Sequence, residues 1–251
     1  MKYIHPSAHV SPIAKVGKDV EIGPLSIIYD NVVLGDRVKI GPYCELGLPT
    51  SLGDGSPLII GDDSLIRSHS IFYESSVFGC KLITGHRVTV REKTIAGLSF
   101  QIGTSSEIQG HCSIGDYVRF QSNIFVGKTT TIGSFVRIAP YVVLTNDPTP
   151  PSEVLMGCTI EDYASISAAA VVLPGVRIGS HSLIASLACV TKDVPPDMVV
   201  AGVPARILGK ASQIQLRDGS DRPAYPWTQH FKRGFPESIA REWLEKKDKN
   251  P

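Results

Sequence analysis

The chain is poor in aromatic residues and in cysteine. Phe, Trp and Tyr make up only 7% of its 251 residues, so bulky aromatic side chains do not dominate its core. The cysteines are odd in number and scattered, with no CxxC pair: Cys44, Cys80, Cys112, Cys158 and Cys189. This usage is typical of reduced thiols in a cytoplasmic protein, rather than of a disulfide framework or a zinc cluster.

The charge balance and the hydropathy exclude further classes of protein. The formal net charge is +1, from 25 basic and 24 acidic residues, which indicates no surface for nucleic acid or for an anionic membrane. No apolar run reaches the roughly 18 residues that a membrane span requires. The first residues, MKYIHPSAHV, do not resemble a signal peptide. We therefore expect a cytoplasmic protein with neither a nucleic-acid nor a membrane partner.

A regular six-residue spacing runs through most of the chain. Small or apolar residues recur at every sixth position in three phased blocks: from Ile4 to Leu46, from Ile60 to Leu144, and from Ile160 to Val190. Glycine follows many of them directly. A period of six matches neither the α-helix nor a simple hairpin. It is typical of short β-segments that are joined by tight corners and stacked as a solenoid, with three segments in each coil.

The spacing also predicts which side chains point outward. A second set of residues, usually small or β-branched, lies four positions after each member of the series. Because alternate residues of a strand share a face, this set and the next member of the series both point inward. The second and third positions after each member are therefore predicted to lie at corners and to face outward.

The spacing is interrupted twice. Eight extra residues follow Leu46, and ten follow Leu144. Insertions in a solenoid form loops, often on the face that carries the function. We expect loops at about 47–59 and 145–159.

The repeat ends near residue 195, which suggests two regions. Residues 1–195 are predicted to form the solenoid and residues 196–251 a C-terminal extension. Within the extension, FPESIAREWLEKK has Pro near its start, apolar residues on one side and lysines at its end. These signals predict a short helix near 236–248.

The repeated units and the segment VTKDVPPDMVVAGVPARI (190–207) resemble the hexapeptide-repeat acyltransferases, over roughly residues 1–210. The resemblance implies an all-β solenoid in the form of a left-handed parallel β-helix that assembles as a homotrimer. It also implies that acetyl-CoA binds along the later coils, between two subunits. The left-handed sense comes from the resemblance alone.

A second resemblance points to the acceptor. LTNDPTPPS (144–152) resembles a loop of the nucleotide-sugar N-acetyltransferases of this fold, whereas the sugar O-acetyltransferases carry TGHP there, with His as the base. Asn146 and Asp147 occupy these positions here, which implies an amino sugar linked to dTDP or UDP. Asp147 is the candidate base, and Asn146 is the candidate to hold the acceptor. The alternative is an Asx turn that opens the loop before Pro148.

Two histidines are further candidates for the catalytic site. His86 follows the series by two positions and His111 by three, so both are predicted to face outward at corners. TGHRVTVRE (84–92) resembles a segment of sugar acetyltransferases of this fold. Glu92 and Glu107 are expected to be solvated, with Glu107 and Asn123 as candidates for substrate binding.

The donor is expected to contact basic and small residues of the later coils. Cationic side chains suit the phosphates of CoA, and small side chains let the pantetheine arm approach the backbone. The candidates are Lys192, Arg206 and Lys210 for the phosphates, and Ala168, Ala185 and Ser186 for the arm. In AYPWTQHF (224–231), Tyr225 and Trp227 either stack on a nucleotide base or pack the extension against the solenoid.

Other functions remain open at this point. A sugar O-acetyltransferase and an amino-acid N-acyltransferase share the fold. A zinc-dependent β-helix hydratase needs three converging histidines, and His86 and His111 lack a third one nearby, so no metal is expected. A non-catalytic scaffold is the remaining class, and it would not bind acetyl-CoA.

Overall fold

A computed structural model describes residues 3–225, together with Ser238 and Arg241. The predicted helix near 236–248 lies outside the described residues, apart from these two, whose backbone is helical. Trp227 lies outside them as well. The 3-10 helix η1 (Ala211–Gln213) is the helical element within 3–225. No helix of the described part has the length and apolar character needed to cross a membrane.

The rest of the described chain is built from very short strands. In chain order they are β1 (Tyr3–Ile4), β2 (His9–Val10), β3 (Lys15–Val16), β4 (Glu21–Ile22), β5 (Ile27–Ile28), β6 (Val32–Leu34), β7 (Lys39–Ile40), β8 (Glu45–Leu48), β9 (Leu58–Ile60), β10 (Leu65–Ile66), β11 (Ile71–Tyr73), β12 (Val77–Phe78), β13 (Ile83–Thr84), β14 (Thr89–Val90), β15 (Ile95–Ala96), β16 (Gln101–Ile102), β17 (Glu107–Ile108), β18 (Ser113–Ile114), β19 (Arg119–Phe120), β20 (Phe125–Val126), β21 (Thr131–Ile132), β22 (Arg137–Ile138), β23 (Val143–Leu144), β24 (Thr159–Ile160), β25 (Ser165–Ile166), β26 (Val171–Val172), β27 (Arg177–Ile178), β28 (Leu183–Ile184), β29 (Cys189–Val190), β30 (Met198–Ala201) and β31 (Arg206–Lys210).

The strands form three parallel sheets that wind around a common axis. Sheet A contains β1 and every third strand up to β28, then β30 and β31. Sheet B contains β2 and every third strand up to β29, and sheet C contains β3 and every third strand up to β27. Tyr3 pairs with Glu21, and His9 with Ile27, so one coil normally takes eighteen residues. β31 departs from the pattern by running antiparallel to β30. The predicted all-β solenoid with three segments per coil is confirmed.

The interior is filled as the six-residue series predicts. The second residue of most strands is fully buried, and the few phenylalanines among them interlock, with Phe72 and Phe78 edge to face at 5.2 Å between ring centroids. The small inward residues of the second set include buried serines. Ser26 Oγ donates to the Gly41 carbonyl oxygen at 2.8 Å and accepts from the Cys44 N–H at 3.0 Å. Such serines satisfy backbone groups at the corners, where the sheet ladders stop.

The corners share one backbone geometry. The third residue after most members of the series has a left-handed conformation, as His111 (φ 52°) and Asn123 (φ 59°) do. Its N–H donates to a carbonyl of the previous coil, from Asn123 to the Thr104 oxygen at 2.9 Å. This conformation is uncommon for residues other than glycine, and the stacked coils hold it in place.

The coils lie too close together for a side chain at some of these corners. A Cβ atom added to Gly103 would lie 2.2 Å from the carbonyl carbon and oxygen of Gln121 in the next coil. Glycine directly after a member of the series is therefore a requirement of stacking at such positions.

Two segments without strands interrupt the ladder. Val33 pairs with Ile59 instead of residue 51, and Thr131 pairs with Thr159 instead of residue 149. We call residues 49–57 the first loop and residues 145–158 the second loop. The first loop is held by the next coil, because Glu74 Oε1 accepts from the Thr50 N–H at 3.2 Å and Ser75 Oγ accepts from the Asp54 N–H at 3.1 Å.

Candidate functional site

Both loops leave the solenoid at the same edge. We call the corners that lead from sheet B to sheet C the BC edge, and those that lead from sheet A to sheet B the AB edge. The first loop joins β8 to β9 and the second joins β23 to β24, so both belong to the BC edge. The coils between them present residues 74–76, 91–94, 109–112 and 127–130 along this edge. This stretch, bounded by the two loops, is the candidate site.

His111 lies on the candidate site, at the corner between β17 and β18. Its N–H donates to the Glu92 carbonyl oxygen at 3.0 Å, and its left-handed backbone directs the imidazole outward, as the spacing predicts. Partial burial lowers the pKa of His111 below its ordinary value. Lys128 and Lys93 lower the pKa further, Arg91 does so weakly, and Glu92 opposes them. This lowered pKa favours the neutral imidazole, which is able to accept a proton.

Glu92 corrects the sequence analysis. It was expected to be solvated, but its side chain is fully buried. Its Oε2 pairs with Nε of Arg91 at 3.2 Å, while its Oε1 has no hydrogen-bond partner among the described residues. The Arg91 guanidinium also lies 5.6 Å from the centroid of the Tyr73 ring. The site thus contains a buried carboxylate next to a cluster of cations.

Asp147 and Asn146 begin the second loop on the same edge. The Asp147 carboxylate accepts from the Thr149 N–H at 3.0 Å, from the Ser152 N–H at 2.9 Å and from Ser152 Oγ at 2.7 Å. The hydrogen bond from the Ser152 side chain is the main cause that lowers the pKa of Asp147. The Asn146 carbonyl oxygen accepts from the Met156 N–H at 2.7 Å, which closes the loop. These are the contacts of the Asx turn that the sequence analysis gave as the alternative for this pair.

Glu107 lies on the outer face of sheet B and leads towards the same edge. Its side chain is half-buried, and Nε2 of Gln109 donates to its carboxylate. Glu107 is the first residue of β17, the strand that leads into the corner with His111.

The other sequence candidates lie on the AB edge of the chain. His86 is exposed there, with Nδ1 2.8 Å from Ser68 Oγ. Asn123 is exposed on the same edge, two coils further along. Within one chain, the structure therefore brings His111, Asn146 and Asp147 to one edge and does not bring His86 or Asn123 to them.

The candidates for donor binding lie in the last coils. Ala168, Ala185 and Ser186 line the AB edge, whereas Lys192 is exposed after β29 on the BC edge. Arg206 and Lys210 are the exposed first and last residues of β31. Arg206 Nη1 donates to the Ala205 carbonyl oxygen at 2.9 Å.

A cavity of about 690 Å³ opens over sheet A and the adjoining AB edge. Arg119 and Arg137 line it from the outer face of the sheet, Ala168 and Ser186 from the edge, and Tyr225 from the C-terminal extension. Sequence reasoning missed the two arginines. The signal for them was the spacing of eighteen, which puts two arginines at the same place in successive coils.

No metal centre stands out in the part of the chain that the structure describes. That part contains no group of three or more His, Cys, Asp and Glu side chains able to hold a metal ion.

Comparisons with known proteins agree with the repeat. A family model described as bacterial transferase hexapeptide (six repeats) matches residues 13–47, which confirms the resemblance to hexapeptide-repeat proteins. A 2,3,4,5-tetrahydropyridine-2,6-dicarboxylate N-acetyltransferase of Staphylococcus aureus (strain bovine RF122 / ET3-1) is 35% identical over 85 residues, 34% of this chain and 35% of that protein. The same enzyme of strain MRSA252 matches equally. The chain thus spans about a third of the length of the curated relatives that it matches.

Among solved structures, the chain is similar to an Arabidopsis UDP-N-acetylglucosamine acyltransferase. The TM-score is 0.49 and the identity 23%, over 82% of this chain and 74% of that one. It is also similar to a serine acetyltransferase in complex with CoA, with a TM-score of 0.38 and 27% identity over 41% of this chain and 42% of that one.

Proposed function

We propose that this hexapeptide-repeat chain is an acyltransferase that moves the acetyl group of acetyl-CoA to the amino group of an amino sugar linked to dTDP or UDP. The observation that carries the proposal is the position of His111, at a corner between two loops on one edge of the solenoid, with a lowered pKa that favours the neutral imidazole. The similarity to transferase hexapeptide repeats and to an N-acetyltransferase supports acyl transfer to nitrogen. The nucleotide-linked acceptor rests on the resemblance of LTNDPTPPS.

The amine nitrogen of the acceptor must lose two protons in this reaction. The acceptor arrives as an ammonium and loses one proton to solvent. The neutral amine then attacks the thioester carbonyl, which forms the N–C bond and a tetrahedral oxyanion, while His111 takes the second N–H proton. When the oxyanion collapses, the C–S bond breaks and the imidazolium returns this proton to the thiolate. The products are the amide, the CoA thiol and neutral His111.

His111 is the base in this proposal, in preference to Asp147. A carboxylate that accepts three hydrogen bonds, and whose pKa is lowered by them, is a weaker proton acceptor than a neutral imidazole. The Asp147 carboxylate keeps its charge and attracts the ammonium to the second loop. Asn146 binds a sugar hydroxyl, and Glu107 is a further contact for the acceptor.

The donor side uses the later coils and a neighbouring subunit. Small residues at the AB edge (Ala168, Ala185 and Ser186) accommodate the pantetheine arm, and cations near the end of the solenoid (Lys192, Arg206 and Lys210) bind phosphate. In a homotrimer, the AB edge of one subunit faces the BC edge of the next. His86 and Asn123 then complete the acceptor site from the neighbouring chain.

The second candidate function is N-acylation of an amino acid. The similarity to a tetrahydropyridine-dicarboxylate N-acetyltransferase favours it, because that acceptor carries two carboxylates and no nucleotide. Lys93, Lys128 and Arg91 around His111 suit a carboxylate as well as a phosphate.

A panel of acceptors separates these functions. Release of the CoA thiol is measured with acetyl-CoA and each of three groups: dTDP- and UDP-linked amino sugars, the same nucleotide sugars with a hydroxyl in place of the amine, and amino acids including tetrahydropyridine dicarboxylate. The proposal predicts thiol release with at least one amino sugar and none with the matched analogue that has a hydroxyl in place of the amine. Turnover of the hydroxyl analogue would replace the proposal by O-acetylation, and turnover of amino acids alone by the second candidate.

A further inference from the structure

Two arginines share one wall of the cavity over sheet A. Arg119 and Arg137 are the first residues of β19 and β22, and they are direct partners in the parallel ladder. Neighbouring strands lie about 4.8 Å apart, and side chains at paired positions point to the same face. The two guanidinium groups therefore emerge side by side from the outer face of the sheet into the cavity.

This arrangement favours an anion. Burial lowers the pKa of Arg119, and the neighbouring charge of Arg137 lowers it further, because each cation disfavours the other. A doubly charged anion that bridges the pair reverses this repulsion. Guanidinium groups bind phosphate through pairs of parallel N–H···O bonds, and two of them can hold the two phosphates of a diphosphate.

The rest of the cavity suits the group that carries such a phosphate. Its volume, about 690 Å³, lies in the range of sites for nucleotide-sized ligands. Gln101, Gln121 and Ser165 add amide and hydroxyl groups to the lining. Tyr225 lines the cavity from the extension, and its pKa is raised by burial and lowered by Arg137, so its ring lies in a part-buried position near that arginine. An aromatic ring beside bound phosphates offers a face on which a nucleobase can stack.

From the arginine pair, the size of the cavity and the tyrosine, we propose that this cavity is a binding site for a nucleoside diphosphate group. Arg119 and Arg137 hold the phosphates, and Tyr225 stacks on the base. The group belongs either to the CoA donor or to a nucleotide-linked acceptor, since both carry a base and a diphosphate. The inference deepens the proposed function, but binding at this site is measurable without any turnover.

The test is calorimetric titration of the full chain with three probes: pyrophosphate, CoA and UDP. The wild type is expected to bind at least one of the two nucleotides. Arg119→Gln and Arg137→Gln are each expected to weaken the binding of that nucleotide and of pyrophosphate by at least tenfold. Tyr225→Ala is expected to weaken the binding of the nucleotide but not that of pyrophosphate. The nucleotide whose binding is weakened shows which substrate the cavity binds: CoA indicates the donor, and UDP indicates the acceptor.

The matched control is Arg177→Gln. Arg177 begins β27 on sheet C, outside the cavity, and pairs with Glu161 at the surface. Circular dichroism confirms that each variant is folded, and Arg119→Lys, which keeps the charge but loses the planar fork, is expected to bind between the wild type and Arg119→Gln. Two results overturn the inference: wild type that binds none of the probes, or cavity variants that bind every probe as tightly as Arg177→Gln. If either arises while acetyl transfer persists, the proposed function stands and the site is wrong.

Discussion

At the scale of single residues, the position of a residue in the six-residue unit predicts which way its side chain points, but not how deeply that side chain is buried. That His111 faces outward follows from its place three residues after Ile108. Glu92 and Lys128 share another corner position, two residues after Val90 and Val126, yet Glu92 is fully buried and Lys128 is not. The burial of a corner side chain depends on the residues of the neighbouring coils, which the six-residue spacing does not specify. The cations that tune His111 were missed for the same reason.

The electrostatics of His111 give a prediction about pH. Because its pKa lies below the ordinary value, kcat/KM should rise with pH through that lowered pKa. A further rise at higher pH belongs to the acceptor, whose ammonium group must lose a proton before it attacks. Lys128 is the strongest of the charges that lower this pKa. Lys128→Gln should therefore raise the pKa and move the acidic limb of the kcat/KM profile to higher pH.

A pH profile of thiol release from pH 5 to pH 9 measures this shift. The control is Lys81→Gln, because Lys81 is exposed on a corner between sheets C and A. An acidic limb that stays in place in Lys128→Gln would show that His111 does not govern the profile.

At the scale of the element, the sequence predicts the coil well and its interruptions poorly. The repeat requires an apolar residue, often followed by a glycine, and the strands begin where the series places them. The path of the second loop depends instead on hydrogen bonds such as those from Ser152 to Asp147, which no period encodes. The role of Asp147 as base therefore stays a prediction from resemblance, and the proposal assigns that role to His111 because the turn holds the Asp147 carboxylate.

Stacking of the coils gives a prediction about stability. Gly103→Ala puts a methyl group 2.2 Å from the Gln121 carbonyl, so the two coils must separate. Overpacking of this kind costs about 1–3 kcal/mol. The free energy of unfolding in urea should fall by this amount.

Gly209→Ala is the matched control, because among the described residues no heavy atom beyond its own chain neighbours lies within 4 Å of a Cβ added there. Its free energy of unfolding should stay close to that of the wild type. Equal stability of the two variants would contradict the close stacking described for Gly103.

At the scale of the whole molecule, the chain is a three-sided column whose candidate residues lie on two different edges. The BC edge carries His111, Asn146 and Asp147, and the AB edge carries His86 and Asn123. Large apolar side chains are exposed on the outside of the column, among them Leu187 (70% exposed) and Ile95 (59%). Exposed apolar groups of this size are typical of interfaces. In the proposed homotrimer, such groups would be covered and the two edges would be brought together.

The expected assembly is a homotrimer, and its activity should depend on it. Sedimentation equilibrium at the concentrations used for kinetics should give three times the mass of the chain. Thiol release per chain should fall on dilution into the range where the trimer dissociates. A stable monomer with full activity would contradict both the assembly and a site shared between subunits.

The central claim is that acetyl transfer to an amine takes place at the BC edge with His111 as the base. Its most direct test is the turnover number of three variants, measured with acetyl-CoA and the best acceptor of the panel. His111→Asn keeps a polar side chain of similar size but removes the basic nitrogen, and it should lower kcat on the order of 10²-fold or more. Asp147→Asn should lower kcat less, and His9→Asn, on the outer face of sheet B far from the site, should leave it unchanged. Near-normal turnover in His111→Asn, together with a loss on the order of 10²-fold in Asp147→Asn, would contradict the account and make Asp147 the base.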